Sequence, residues 1–362
     1  MLVYLIVALF PLLIGFYYHN KVAPGVGEET QLNRMQLKRR AFWLTVAALP
    51  MFALIAFRGS YIGADTLVYQ KFFSTMVETP WSRIFVENHA DFEVGYVVFE
   101  KIVASFTDSS EVFLVVHTAI YLWAVVHFAN QLEKANFLFL YFFATLGLYT
   151  FMFTAIRQCL AMCTCLFSYK YIRQRKIVPF MGCLILAFLF HKSAILFLAA
   201  FFIYPRKMNF LNSVFYSILG LLFYLNIEPI QEWMNEQLDY AYEIEETGNG
   251  VIFLLVVIAI MIFSFFMFQM NHNMTYNAQG LINISIITLI LWVLRLATRV
   301  AERPSFYFLF FTAALLGHGI ESMKRKQDKH LIGLIVIAFT MILYVYRFWT
   351  NFSSMVPYES FI

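Results

Sequence analysis

The run GVIFLLVVIAIMIFSFFMFQM, residues 250–270, carries no charged side chain over 21 positions. At about 1.5 Å per residue a helix of that length covers roughly 30 Å, the thickness of a bilayer's hydrocarbon layer. It decides the fold class because it recurs. Apolar segments also occupy residues 2–18, 41–57, 111–130, 137–154, 157–170, 177–190, 192–204, 210–226, 281–297, 304–320 and 331–349. The chain of 362 residues is 61% hydrophobic and only 13% charged, where a soluble domain carries about 25% charged residues. In lipid, only a helix or a closed barrel satisfies its own backbone hydrogen bonds. The expected fold is therefore an all-α polytopic membrane protein, one integral membrane domain over residues 1–362, with about 12 transmembrane or re-entrant helices.

Three segments, 157–170, 177–190 and 192–204, are short for a span on their own. They are expected as tilted, broken or re-entrant helices, which lipid tolerates only where they line a protein-enclosed cavity. The run from Leu2 to Tyr18 lacks a basic n-region and an A-x-A site, and reads as a retained first span. The 42 Phe and 21 Tyr suit lipid contact and interfacial belts.

Charge sets the orientation. If every segment crosses, the loops at 19–40, 131–136, 170–176, 205–207, 271–280 and 322–330 share a side. That side collects 16 of the 26 basic residues and 5 of the 22 acidic ones; the other collects 10 and 17. By the positive-inside rule the first side is cytoplasmic and both termini are outside. Two outer regions are long, 58–110 and 227–249. The second, IEPIQEWMNEQLDYAYEIEETGN, has seven acids and no base, and is expected to form an interfacial helix. The net charge of +4 is explained by this topology, and no nucleic-acid partner is expected.

Several chemistries find no support. Cys159, Cys163, Cys165 and Cys183 lie in apolar segments without a C-x-x-C pair or a Cys/His cluster, so no metal site is expected. There is no P-loop and no G-x-S-x-G, and no cofactor is implied.

The basic residues on the outer side run against topology and need a reason, because a charge at bilayer depth costs about 2.5–3.5 kcal/mol. FRGSYIGADTLVYQKFF, residues 57–73, puts Arg58 and Asp65 at the end of an apolar span. Arg157 and Gln158 sit in FTAIRQCLA between two short segments. Arg295, Arg299 and Arg303 repeat at i, i+4 and i+8, which would align them on one helix face. The planar guanidinium fork matches phosphate oxygens two at a time. The set Arg58, Arg157, Arg295, Arg299 and Arg303 therefore points to an anion at headgroup depth, most simply a diphosphate. Asp65, Glu93 and His191 on the same side are the candidate general bases, each with salt bridging or buried hydrogen bonding as its plainer role. Tyr61, Tyr69 and Tyr96, with Gln158, are candidates for sugar contact. Gly63, just before Asp65, is expected to allow a tight turn.

The ordered set FRGSYIGADTLVYQKFF, FEVGYVVFEKI, AIRQCLAM, FLFHKSAIL, RLATRVAERPSFYF and VPYESF, from about residue 41 to the end, resembles the EpsG family of Wzy-like polysaccharide polymerases. The departures from the family pattern are local: Gly63–Ala64 stands before the Asp, and the late Arg motif runs into Arg303–Pro304. The resemblance implies a GT-C-like enzyme of the bacterial cytoplasmic membrane. Such an enzyme joins oligosaccharide repeat units carried on undecaprenyl diphosphate at the extracytoplasmic face, making exopolysaccharide, capsule or O-antigen. It also implies a flippase and a chain-length regulator as partners. A flippase or transporter of lipid-linked saccharides would need charges spread through the membrane depth, whereas here they collect on one side. A membrane O-acyltransferase using His191 leaves the Arg set without work, and a glycan ligase shares nearly the whole constellation.

Overall fold

The computed structural model describes residues 1–23, 33–88, 91–207, 210–226, 228–229, 232, 250–351 and 355–361. Among them the chain is all-helical, without a strand. In chain order the helices are α1 Leu2–Tyr17, α2 Arg34–Ala56, α3 Thr66–Glu78, α4 Val94–Ala104, α5 Ser110–Gln131, α6 Asn136–Thr145, α7 Leu148–Phe151 and α8 Ile156–Phe167. They continue with α9 Tyr169–Arg173, α10 Ile177–Phe190, α11 Leu198–Ile203, α12 Phe210–Leu225, α13 Gly250–Met270, α14 Tyr276–Leu294, α15 Glu302–Glu321 and α16 Lys326–Asn351.

Each of the twelve apolar segments is helical. Six helices are long and apolar enough to cross a membrane: Leu2–Val22, Arg34–Ala56, Ser110–Gln131, Gly250–Met270, Tyr276–Leu294 and Lys326–Thr350. The shorter apolar helices are Asn136–Thr145, Ile177–Phe190 and Lys192–Ile203, the last joining a 3-10 turn to α11. The expected shortness of 177–190 and 192–204 thus holds, and α8 has only 12 residues. Residues 58–110 form more than a loop, since they fold α3 and α4. The acidic stretch 227–249 falls, but for 228, 229 and 232, outside the described residues.

The bundle is organised around α15, whose residues from Pro304 to Ile320 are all buried. It packs against α14, α13 and α6. On the outside, α1 and α16 turn large apolar side chains outward, with Leu13 66% and Leu334 65% exposed. For helices of spanning length such faces are solvated by lipid. Inside, tyrosine hydroxyls tie helices together by donating to backbone carbonyls: Tyr121 to Ile156 at 3.0 Å, Tyr141 to Ile337 at 2.7 Å and Tyr149 to Met51 at 3.1 Å. A phenol in an apolar core needs such an acceptor, and in lipid the bond also fixes which helices meet.

One expectation is corrected. Arg295, Arg299 and Arg303 do not share a helix face, because the helix breaks between them. The α14 helix stops at Leu294, Arg295 is its C-cap residue, and Thr298 takes an extended backbone, accepting from the Val300 amide to start the 3-10 turn Arg299–Ala301. Pro304 then lies in the first turn of α15, where its missing N–H costs nothing. A continuous helix would have lost that hydrogen bond in its interior.

The turn after α2 is folded against two other parts of the chain. Gly63 has φ +88°, and a Cβ there would stand 2.2 Å from the Phe153 carbonyl oxygen. Only glycine fits, so the 59–65 turn sits on the break between α7 and α8. The C-terminal residues run alongside the same turn. Gly59 N–H donates to the Glu359 carbonyl at 2.8 Å, and Phe361 N–H to that of Phe57 at 3.2 Å.

Candidate active site

Glu93 is the centre of a polar cluster. It occupies the N-cap position of α4, with an extended backbone that turns its side chain back along the helix end. Its carboxylate accepts from Arg157 Nη1 at 2.5 Å, from His191 Nδ1 at 2.8 Å and from the Lys192 backbone N–H at 3.2 Å. Arg157 comes from the first turn of α8 and His191 from the end of α10, so three helix ends converge. Beneath Arg157 lies the Phe92 ring, 4.3 Å from the guanidinium carbon, a cation–π seat, and the Tyr69 hydroxyl is a second side-chain partner of the guanidinium.

The convergence depends on a close approach. Gly95, in the first turn of α4, faces the end of α10, where a Cβ would meet the Leu189 carbonyl oxygen at 2.7 Å. Gly95→Ala is expected to push α4 off α10 and separate Glu93 from His191. Overpacking of this kind costs about 1–3 kcal/mol. A lowered unfolding midpoint together with lost activity checks it; an unchanged midpoint refutes the close packing.

Burial raises the Glu93 pKa. The His191 hydrogen bond, the His191 and Arg157 charges and a backbone hydrogen bond outweigh that and hold the carboxyl at about 2, below its usual 4.5. A depressed acid contributes stability that is complete above pH 4.5 and lost as pH falls toward about 2. The wild-type unfolding midpoint is thus expected to drop more steeply through that window than that of Glu93→Gln, measured by a pH series of thermal scans in detergent.

With Nδ1 committed to a carboxylate, His191 carries its proton there and presents Nε2 as the lone-pair nitrogen. That gives a carboxylate-oriented imidazole, the usual geometry of a general base. Asp65 is half-buried at the N-cap of α3, with no side-chain capping bond. One turn on, Tyr69 links it to the cluster. Burial pushes the Tyr69 hydroxyl up to about 12, with Arg157 pulling it down and Asp65 raising it.

The remaining candidates divide. Arg303, half-buried in the first turn of α15, is within electrostatic reach of His191, and its carbonyl accepts from Gln158 Nε2 at 2.7 Å. Gln158 is buried and ties α8 to α15. Arg295 pairs with Glu302 at 2.7 Å, and Arg299 is exposed on its 3-10 turn. Arg58 is fully buried, donating to the Ile55 carbonyl at 2.6 Å and Thr66 Oγ1 at 3.0 Å. It braces the turn that carries Asp65. Tyr96 is fully buried, its ring 5.7 Å from that of Tyr69 and 5.4 Å from that of Phe92, while Tyr61 is 77% exposed, so Tyr69 and Tyr96 are the tyrosines placed by contacts at the cluster.

Sequence reasoning passed over four residues. Phe92 supports Arg157. Ser193 Oγ and the Tyr307 hydroxyl lie 3.2 Å apart just beyond His191. Arg347, near the C-terminal end of α16, donates to the Leu146 carbonyl at 3.0 Å. The signal for Arg347 is a basic residue within the apolar run LYVYRFW, residues 343–349.

No curated protein and no solved structure matches the chain. A family model, the EpsG family, matches residues 41–360, a range that includes every residue of the cluster. With the apolar helices, that match over most of the sequence shows that this membrane protein belongs to the EpsG family, a Wzy-like polysaccharide polymerase family.

Proposed function

We propose that the chain polymerises oligosaccharide repeat units carried on undecaprenyl diphosphate, at the outer face of the bacterial cytoplasmic membrane, as a GT-C-like glycosyltransferase. A sugar hydroxyl of the incoming lipid-linked unit attacks the anomeric carbon of the growing chain. His191 Nε2 takes the hydroxyl proton as the new C–O bond forms, and Glu93 stabilises the resulting imidazolium. The bond from the anomeric carbon to the diphosphate oxygen breaks, and its electron pair leaves with the lipid diphosphate. Arg157 and Arg303 offset the negative charge that gathers on the leaving group, so no acid is needed to protonate it. Arg295, buried on Glu302, and the exposed Arg299 add positive charge beyond them. Arg58 serves by holding the Asp65 turn, and Tyr69 and Tyr61 offer faces for sugar stacking. A flippase supplies the substrate and a chain-length regulator limits the product.

The convergence of Glu93, His191 and Arg157 carries this reading. It joins a base to a cation within one cluster, which matches a hydroxyl nucleophile and an anionic leaving group. The test is purified protein in liposomes with lipid-linked repeat units and no nucleotide sugar. Longer chains on a gel, with one lipid diphosphate released per linkage, are expected. Growth that requires a nucleotide sugar, or release without growth, overturns it.

A further inference from the structure

At the opposite, basic end of the bundle, a cavity of about 510 Å³ opens between α1 and α16. That volume is in the range of small-molecule sites, roughly 300–1,000 Å³. Its walls are apolar, with Leu12 and Phe16 from α1 and Leu334 and Ile337 from α16. Phe16 and Leu334 are 74% and 65% exposed, so the mouth faces the surroundings of two spanning helices, which is lipid. Its inner end is polar, and there Arg40 lines it.

Arg40 is 8% exposed. It donates from Nε to Asn130 Oδ1 at 2.8 Å, from Nη1 to Asn136 Oδ1 at 3.3 Å and from Nη2 to the Asn130 carbonyl at 2.6 Å. All three partners are neutral. The two asparagines spend their NH₂ groups on backbone carbonyls of Leu37, Ala129 and Leu132, which aims their oxygens at the guanidinium. The acids that line the cavity pair with other cations, Glu133 with Arg173 and Glu321 with Lys329, which lines the cavity as well. Among the described residues no carboxylate pairs with Arg40. A buried cation held only by amide oxygens is costly unless an anion completes it. Three of its five N–H groups are used, so two remain for that anion.

We infer that this cavity binds an anionic phospholipid, its phosphate on Arg40 and an acyl chain between α1 and α16. The mixed walls fit an amphiphile: a soluble anion would leave the apolar sides unused, and a plain hydrocarbon would leave Arg40 uncompensated. The site lies away from the Glu93 cluster and uses none of its residues, so it stands whether or not the polymerase reading does.

The test is native mass spectrometry of the full chain, released from nanodiscs holding equal phosphatidylglycerol and phosphatidylethanolamine. Retention of phosphatidylglycerol over phosphatidylethanolamine is expected. Arg40→Gln should lower that preference about tenfold, the loss of one charge-assisted contact. Gly333 lines the cavity, and a Cβ there meets only Ile320, at 3.6 Å. Gly333→Phe should therefore block the acyl chain and lower retention of both lipids, and it serves as the test if Arg40→Gln does not fold. Equal retention of the two lipids by the wild type, or wild-type retention by the folded variants, overturns the inference. So does a thermal shift from inorganic phosphate as large as that from the lipid.

Discussion

His191→Gln is expected to leave a folded protein whose polymerisation rate is lower by roughly 100- to 10,000-fold, the usual contribution of a positioned base. Glutamine fills similar space and its amide can still donate to Glu93, so the convergence of α4 and α10 survives. What disappears is the Nε2 lone pair that the proposed mechanism assigns to the hydroxyl proton. The readout is turnover of purified lipid-linked repeat units at saturating substrate. The pH profile supplies the control, because loss of a base removes the acid limb of the wild-type rate curve. If the variant turns over at the wild-type rate, His191 only packs. Asp65→Asn, assayed beside it, then tests the carboxylate one turn before Tyr69 as the base.

Arg157→Ala is the second large effect. It removes the cation from the cluster and leaves Glu93 with His191 and the Lys192 amide. Removing one donor to a developing anion costs about 100- to 1,000-fold in rate, and the loss should appear in kcat more than in KM. Arg157→Lys retains a point charge but not the fork, and an intermediate rate is expected. In cells, Arg157→Ala should yield single repeat units at the outer face without long polymer, at normal protein levels. Long polymer from that variant would remove Arg157 from the chemistry. Because Glu93 depends on the same contact, the unfolding midpoint must be measured alongside, so that a stability loss is not read as a catalytic one.

The site was half legible in the sequence. Arg157 and His191 announced themselves as polar residues at the edges of apolar segments, where a charge needs a partner or a task, and Asp65 and Glu93 as acids expected on the same side. Pairing was not legible, because Glu93 and His191 stand 98 positions apart in the chain and no local pattern links them. The arginine triple shows the opposite error. The i, i+4, i+8 spacing promised one face, but Thr298 and Pro304 end one helix and start another inside the run. Spacing arguments hold only where the helix is continuous, and breakers within a few residues outrank the period.

Arg58 shows how identical local signals part in three dimensions. On the page it matched Arg157, a base just beyond an apolar run. Folded, it is sealed beneath the Gly63 turn with the C-terminal residues alongside, while Arg157 sits on Phe92 at the cluster.

By itself the sequence determined that this chain is a helical membrane protein, and it singled out the polar residues that stand against its apolar runs. These follow from composition and hydropathy, which act residue by residue through transfer free energy. Only the tertiary structure decided which of those residues meet. The close approach at Gly95, the turn at Gly63 and the break at Thr298 set distances between segments far apart in sequence, and charge pairing falls steeply with distance.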